Sequence, residues 1–269
     1  MKLGLIGCGK MGKALAAGAI NAGAVAASEV FGYDIHPPAM EGLVAEHGVT
    51  AAGSIGELAT TVDVLILATK PYHASAALQS IAASGSTKES LLVISVAAGL
   101  KLERLEGEVG EGARMIRSMP NTPALIGMGA AAFTLGSAAT EEDSATANRL
   151  LGAVGLVIEI NESLMDAVTG LSGSGPAYVY MFIEALTDGG VQNGLPCEQA
   201  RELAVQTVIG AAAMVQATGT HPAILKEMVT SPGGTTIAGL EALESHAFRS
   251  ACIDAVNSAT RRAEELGRP

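Results

Sequence analysis

Charge, aromatic rings and cysteine are all scarce in this sequence. Of 269 residues, 16% are charged, 3% are aromatic and none is tryptophan, while 49% are hydrophobic. So apolar a chain with so little charge density does not stay disordered. Basic residues are the scarcer charged group, 16 Lys and Arg against 27 Asp and Glu, for a formal net charge of −11. No basic excess exists to neutralise phosphates, so no nucleic-acid partner is expected. A local anion site remains open to it, because a few backbone N–H groups suffice for one.

Three cysteines, Cys8, Cys197 and Cys252, are too few and too far apart for a disulfide framework or a zinc site. Cys197 and Cys252 read as buried fillers on helices, and Cys8 as a packed thiol rather than a nucleophile. The histidines His36, His47, His73, His221 and His246 show no metal spacing, so no metal is expected. Long hydrophobic runs are also missing. The longest, Leu91 to Leu100, has the length of a buried strand and falls well short of a membrane span. The apolar run after Lys2 is broken by Gly7, Gly9, Lys10, Gly12 and Lys13, so it lacks the core of a signal peptide. The expectation is a cytoplasmic protein with no membrane association.

Strand and helix signals alternate through the first part of the chain. Strands are expected at Lys2–Ile6, Val30–Tyr33, Val49–Ala51, Val62–Ala68, Leu91–Ala97, Arg114–Ser118, Ala130–Thr134 and Leu156–Ile160, with helices at Lys10–Ala22 and Pro38–His47. The almost unbroken apolar runs at Val62–Ala68 and Leu91–Ala97 fit parallel strands covered on both faces. Such alternation implies a doubly wound α/β sheet. After Ile160 only helices are expected: Ser163–Leu171, Pro176–Asn193, Cys197–Thr218, Pro222–Val229, Thr235–Leu243 and Phe248–Leu266. The boundary therefore falls near Asn161, between a dinucleotide-binding domain of residues 1–161 and an all-α domain of residues 162–269. Residues 203–217 are apolar nearly all round. Such a helix is buried, either at the centre of its own domain or, as favoured here, in a homodimer.

Gly7-Cys8-Gly9-Lys10-Met11-Gly12 is a G-x-G-x-x-G motif that follows the strand ending at Ile6 and opens a helix. Gly7 permits the tight turn, Gly9 lets a pyrophosphate approach, and Gly12 lets helix and strand pack closely. A ligand-free strand-to-helix turn shows the same pattern, but this context favours a dinucleotide. Two other motifs fail on one residue each. Gly4 to Lys10 has P-loop spacing, but Met11 stands where the metal-binding hydroxyl belongs. Gly170 to Ser174 resembles a nucleophile elbow without its final glycine.

Asp34 ends the second strand, where a carboxylate accepts hydrogen bonds from an adenosine ribose and repels a 2′-phosphate. No Arg or Lys follows in Ile35-His36-Pro37-Pro38, which leans the choice between NADH and NADPH toward NADH. A plain turn residue would also fit Asp34. Ala68, Thr69, Lys70 and Pro71 close the fourth strand and are placed to line the ribose and nicotinamide. Lys70 fits a solvated surface charge equally well.

Three further stretches belong to turns: Ser118 to Pro123, Ser172 to Pro176 and Ser231 to Thr236. The last two are Gly-rich and run into helix starts, where free N–H groups and the dipole suit a carboxylate. Ordinary capping by Ser and Thr explains the same residues.

Taken together, the G-x-G-x-x-G turn, Met119-Pro120-Asn121-Thr122-Pro123, Leu171 to Tyr178 and Leu225 to Thr236 resemble the pyrroline-5-carboxylate reductase family over essentially the whole chain. Leu225 to Thr236 is the most specific of these stretches. The resemblance implies a Rossmann domain and a helical dimerisation domain, with dimers assembling further into rings. It implies NAD(P)H-dependent reduction of Δ1-pyrroline-5-carboxylate to L-proline, the last step of proline synthesis. It also implies site roles. Backbone N–H groups of Gly233, Gly234 and Thr235 would hold the substrate carboxylate, with Ser231 assisting. Thr236 would hydrogen-bond the ring nitrogen, Asn121 would orient nicotinamide or substrate, and Ser174 would lie nearby. The chain departs from some relatives in having Thr220 before His221-Pro222 where they carry a carboxylate.

A β-hydroxyacid dehydrogenase would have the same domain order, but its catalytic Lys is missing from Pro176 to Glu184. A dinucleotide sensor without catalysis would not need the Gly-Gly-Thr-Thr turn.

Overall fold

The computed structural model describes residues 1–85, 91–110 and 112–267. Eight strands form one sheet: β1 (Leu3–Ile6), β2 (Val30–Tyr33), β3 (Thr50–Ala51), β4 (Val64–Leu67), β5 (Leu92–Ser95), β6 (Arg114–Met119), β7 (Gly129–Leu135) and β8 (Gly155–Glu159). Their order is β3-β2-β1-β4-β5-β6-β7-β8. All neighbours pair parallel except β6 and β7. The doubly wound α/β expectation holds.

The central strands β1, β4 and β5 are buried along their whole length, and nearly all of their residues are apolar because both faces are covered. In β4, Val64 and Ile66 join the cluster formed with α1 (Lys10–Asn21), α2 (Pro37–His47) and α6 (Glu141–Gly152). Leu65 and Leu67 join the opposite cluster, with α3 (Ile55–Thr61), α4 (Pro71–Ala83) and α5 (Leu102–Val109). The same alternation sends Leu92 and Ile94 to one side and Val93 to the other. Cutting a fully buried leucine such as Leu65 to alanine costs roughly 2–5 kcal/mol. Helix α6 starts with a reciprocal cap: Thr140 Oγ1 accepts the Asp143 N–H, and Asp143 Oδ2 accepts the Thr140 N–H.

The strand order reverses at β1, which lies between β2 and β4. In open α/β sheets ligands bind beyond the strand carboxyl ends at this point.

After β8 come α7 (Met165–Val168), a π-helical turn at Thr169–Gly173, then α8 (Gly175–Gln192), α9 (Cys197–Thr218), α10 (Pro222–Met228), α11 (Thr235–Ser245) and α12 (Phe248–Leu266). The chain forms two compact units. One runs from Met1 to Ser174 and takes back the chain from Ser258 onward, and the other is Gly175–Asn257. The last two residues of the expected 162–269 domain lie outside the described residues.

The second unit has almost no interior. Helices α8 and α9 pack closely, so that a Cβ on Gly190 would stand 3.0 Å from the Ala200 Cβ. Yet Thr187, Ala200 and Ala204 are its only buried residues among those described. Helix α9 leaves Leu203, Val205, Ile209 and Met214 exposed, so it is not the central helix of its own unit. Cys197 and Cys252, expected to be buried, are exposed on the single chain. Among the described residues no single helix is long and apolar enough to cross a membrane. Helices α9 and α10 together have the length and composition but are bent by 119°.

Candidate active site

A cleft of about 990 Å³ opens at the strand carboxyl ends of the first unit. Ile6, Gly7, Gly9, Lys10 and Met11 form its floor, and Ala68, Thr69, Lys70 and Pro71 one wall. All nine are among the residues expected to hold a dinucleotide.

The three glycines divide the work as their spacing implies. Gly7 has φ +95°, and a Cβ there would stand 2.7 Å from the Ala68 carbonyl oxygen. A Cβ on Gly12 would fall 2.0 Å from the Gly7 carbonyl oxygen, so the helix start lies against its own turn. A Cβ on Gly9 would meet nothing within 4 Å. Packing does not require a glycine at that position. The start of α1 has no side-chain cap, which leaves its first N–H groups and positive dipole end for an anion. Thr69 Oγ1, on the opposite wall, is a buried hydroxyl oxygen with no hydrogen-bond partner. An uncrowded glycine, an uncapped helix start and an unpartnered polar atom in one cleft fit a dinucleotide.

Asp34 lines the cleft one residue beyond β2. Its Oδ2 accepts the Cys8 N–H at 2.6 Å and its Oδ1 accepts the His36 N–H at 2.8 Å. A carboxylate offers about four lone-pair sites, so capacity remains for ribose hydroxyls. Cys8 and Gly12 shape the turn without lining the cleft. The Cys8 thiol packs against Met40 Sδ at 3.5 Å, and burial, with the Asp34 charge beside it, pushes its pKa up to about 12. A thiol buried and held neutral in this way packs as an apolar group.

Met119, Pro120, Thr122 and Leu125 line the far end of the cleft, but Asn121 between them does not. Its Nδ2 donates to the Ser172 carbonyl at 3.0 Å, and its Oδ1 accepts the Ala130 N–H at 2.8 Å. Ser174 closes the π-helical turn, donating its N–H to the Thr169 carbonyl at 2.9 Å.

In the second unit, Ser231 to Gly234 turn into α11. Gly234 stands at the helix start, and no side chain caps it. Serine and threonine capping is therefore not what this turn does. The Gly234 N–H donates to the Ser231 carbonyl at 3.1 Å, which leaves Thr235, Thr236 and Ile237 as the open donors of this helix end. Thr187, Thr207 and Thr218 bond back to carbonyls of their own helices, whereas Thr236 makes no such bond among the described residues.

Residues 162–266 match the model of pyrroline-5-carboxylate reductase dimerisation, and residues 2–99 that of coenzyme F420-dependent NADP oxidoreductases. A pyrroline-5-carboxylate reductase of Methanosarcina acetivorans is 43% identical over 99% of this chain and 98% of its own. The chain belongs to the pyrroline-5-carboxylate reductase family. Solved structures agree. The reductase of Coxiella burnetii superposes with a TM-score of 0.93 at 32% identity, covering 100% of this chain and 99% of its own. That of Plasmodium falciparum, solved with NADP bound, gives 0.89 at 35% identity, covering 100% and 98%.

Homo-oligomerisation belongs with the matched dimerisation model and with a second unit that lacks an interior. Before the His221-Pro222 pair the chain closes a local cap. Thr218 Oγ1 accepts the Thr220 N–H, and His221 Nδ1 accepts the Ala223 N–H. Tyr33, Ile55, His73, Ala76, Ala77 and Ser80 also line the cleft and carried no sequence signal. They sit inside β2 and the helices after β3 and β4, and only the pairing of those elements brings them together.

Proposed function

We propose that this chain performs the family reaction through a dinucleotide held in the first unit and a carboxylate turn in the second. The reaction is the NAD(P)H-dependent reduction of Δ1-pyrroline-5-carboxylate to L-proline, the final step of proline biosynthesis. A reduced nicotinamide dinucleotide, when bound, supplies a hydride to the imine carbon. The C=N bond becomes a single bond, and a proton ends on the nitrogen. The imine nitrogen is basic enough to be protonated near neutrality, so no strong protein acid is required. Orientation and charge placement supply most of the rate.

Gly7, Gly9, Lys10 and Met11 hold the pyrophosphate, with Cys8 and Gly12 shaping the turn. Asp34 takes the adenosine ribose, and Ala68 to Pro71 flank the rest. The Gly233 and Thr235 N–H groups of this turn, with Ser231 beside them, bind the substrate carboxylate, the Gly234 N–H being spent on the Ser231 carbonyl, and the Thr236 hydroxyl bonds the ring nitrogen. Ser174 lies at the entry to the helical unit. The uncapped start of α11 carries the substrate reading, because it keeps the N–H donors of Thr235, Thr236 and Ile237 free beside a Thr236 hydroxyl that bonds nothing among the described residues. The cofactor leans to NADH through Asp34. The protein acts in the cytoplasm as a homodimer formed by the helices of residues 162–269, with dimers arranged in rings.

Thr236→Val tests the assignment. Losing one transition-state hydrogen bond lowers kcat on the order of 100-fold. Unchanged kcat and KM would remove Thr236 from the mechanism.

A further inference from the structure

The order of the strands gives the cleft a direction. Asp34 follows β2 on one side of the glycine turn, while Thr69 follows β4, Val96 follows β5 and Pro120 follows β6 on the other. A dinucleotide across this switch point puts adenosine toward Asp34 and nicotinamide toward Met119 and Pro120. The nicotinamide end is therefore walled by the last residues of β6.

Those residues are fastened to the segment from Glu162 to Gly173 at three points. Arg117, buried in β6, pairs with Glu162 at 2.9 Å and Asp166 at 3.5 Å, and Glu162 also accepts the Leu102 N–H at 2.7 Å. Met119 reaches the π-helical turn so closely that a Cβ on Gly173 would stand 2.7 Å from its methyl carbon. Asn121 bridges that turn and β7 through Ser172 and Ala130. Mid-helix π turns are rare and often sit at functional positions.

We propose that Asn121 is a positioning residue for hydride transfer. It holds Met119 and Pro120 at the nicotinamide end of the cleft by tying them to the Ser172–Gly173 turn and to β7, and it touches neither cofactor nor substrate. This rests on the dinucleotide reading of the cleft. Each end of its carboxamide already has a backbone partner, which a residue reserved for a ligand would not have. A reacting group displaced by about 1 Å loses on the order of 100-fold in rate. The contacts at the adenosine end stay as they were.

Two variants separate this role from general damage. Asn121→Asp keeps the acceptor for Ala130 but faces the Ser172 carbonyl with a second acceptor. Gly173→Ala leaves every hydrogen bond in place and displaces only the Met119 methyl. The measurements are kcat, the affinities for NADH and for ADP-ribose (which lacks the nicotinamide ring), and the thermal midpoint. Both variants should lose at least about tenfold in kcat. Both should keep ADP-ribose affinity within about twofold of the parent, and so lose the extra affinity that the nicotinamide end gives NADH. A merely structural role would lower the thermal midpoint and leave kcat per folded molecule and the NADH to ADP-ribose ratio unchanged. That result, or a parallel loss of ADP-ribose affinity, overturns the proposal. If Asn121→Asp does not fold, Gly173→Ala decides alone. If the parent binds NADH but does not turn over pyrroline-5-carboxylate, the substrate reading fails and the affinity ratio still judges Asn121.

Discussion

The Asp34 carboxylate accepts the Cys8 N–H at 2.6 Å and so ties the end of β2 to the middle of the glycine turn. One side chain thereby supports the turn and sets the charge where an adenosine ribose binds. Asp34→Asn keeps an acceptor for the Cys8 N–H, gives up the one that the His36 N–H uses, and removes the charge. The ratio of kcat/KM for NADH over NADPH should fall about tenfold, equivalent to about 1.4 kcal/mol. Steady-state kinetics with both cofactors measure it, and an unchanged ratio would show that the Asp34 charge does not select the cofactor.

Gly9 and Gly12 should respond differently to the same substitution. Gly12→Ala places a methyl 2.0 Å from the Gly7 carbonyl oxygen, so both the fold and cofactor binding should suffer. Gly9→Ala meets nothing within 4 Å in the chain. Its thermal midpoint without cofactor should match or exceed the parent's, while NADH affinity falls at least about tenfold. Calorimetric titration beside a thermal melt reads both, and full NADH affinity in Gly9→Ala would move the pyrophosphate away from this turn.

Burial makes Cys8 a reporter of alkaline stability. Its pKa rises from an ordinary 9.0 to about 12 in the folded chain. With the folded value above the unfolded one, the stability it contributes is complete below pH 9 and is lost as pH climbs from 9 toward 12. Cys8→Ala should flatten that part of the stability profile, as followed by denaturant melts across the range. A slope identical to the parent's would mean that the thiol is not the group responsible.

Different parts of the protein were legible to different degrees. Strands β1, β4 and β5 could be read because both faces are buried, which makes Leu3–Ile6 and Val64–Leu67 free of polar side chains and leaves Ser95 the one polar residue in Leu92–Ser95. The glycine turn could be read because its spacing is itself the geometry. Helices α3, α4, α5 and α6 carry little sequence signal. Their signals are short: Ser54 caps α3, Pro71 opens α4, and α6 uses Asp143 where the usual cap pattern has Glu or Gln. Asn121 stood out in its motif, but no spacing shows that its amide meets Ser172, a residue 51 positions away. Cys197 and Cys252 read as core residues because free cysteine is among the most often buried residue types, yet both are exposed on the single chain.

Helix α9 gives the oligomer a direct test. Ile209 is 49% exposed on the single chain, in a unit with almost no interior. With about half of the side chain left to bury, Ile209→Asp should remove roughly 0.8–1.5 kcal/mol of burial from each copy and add the cost of burying a charge. Light scattering should show the parent as a dimer or larger and the variant shifted toward monomer. A variant that keeps the parent's mass would place the interface elsewhere.

The most direct test of the central claim is the oxidation of NADH and of NADPH by the purified protein, with and without Δ1-pyrroline-5-carboxylate, with proline measured in the product. The expected result is substrate-dependent oxidation with one proline formed per dinucleotide consumed. A folded protein that binds the dinucleotide but forms no proline with either cofactor would contradict it.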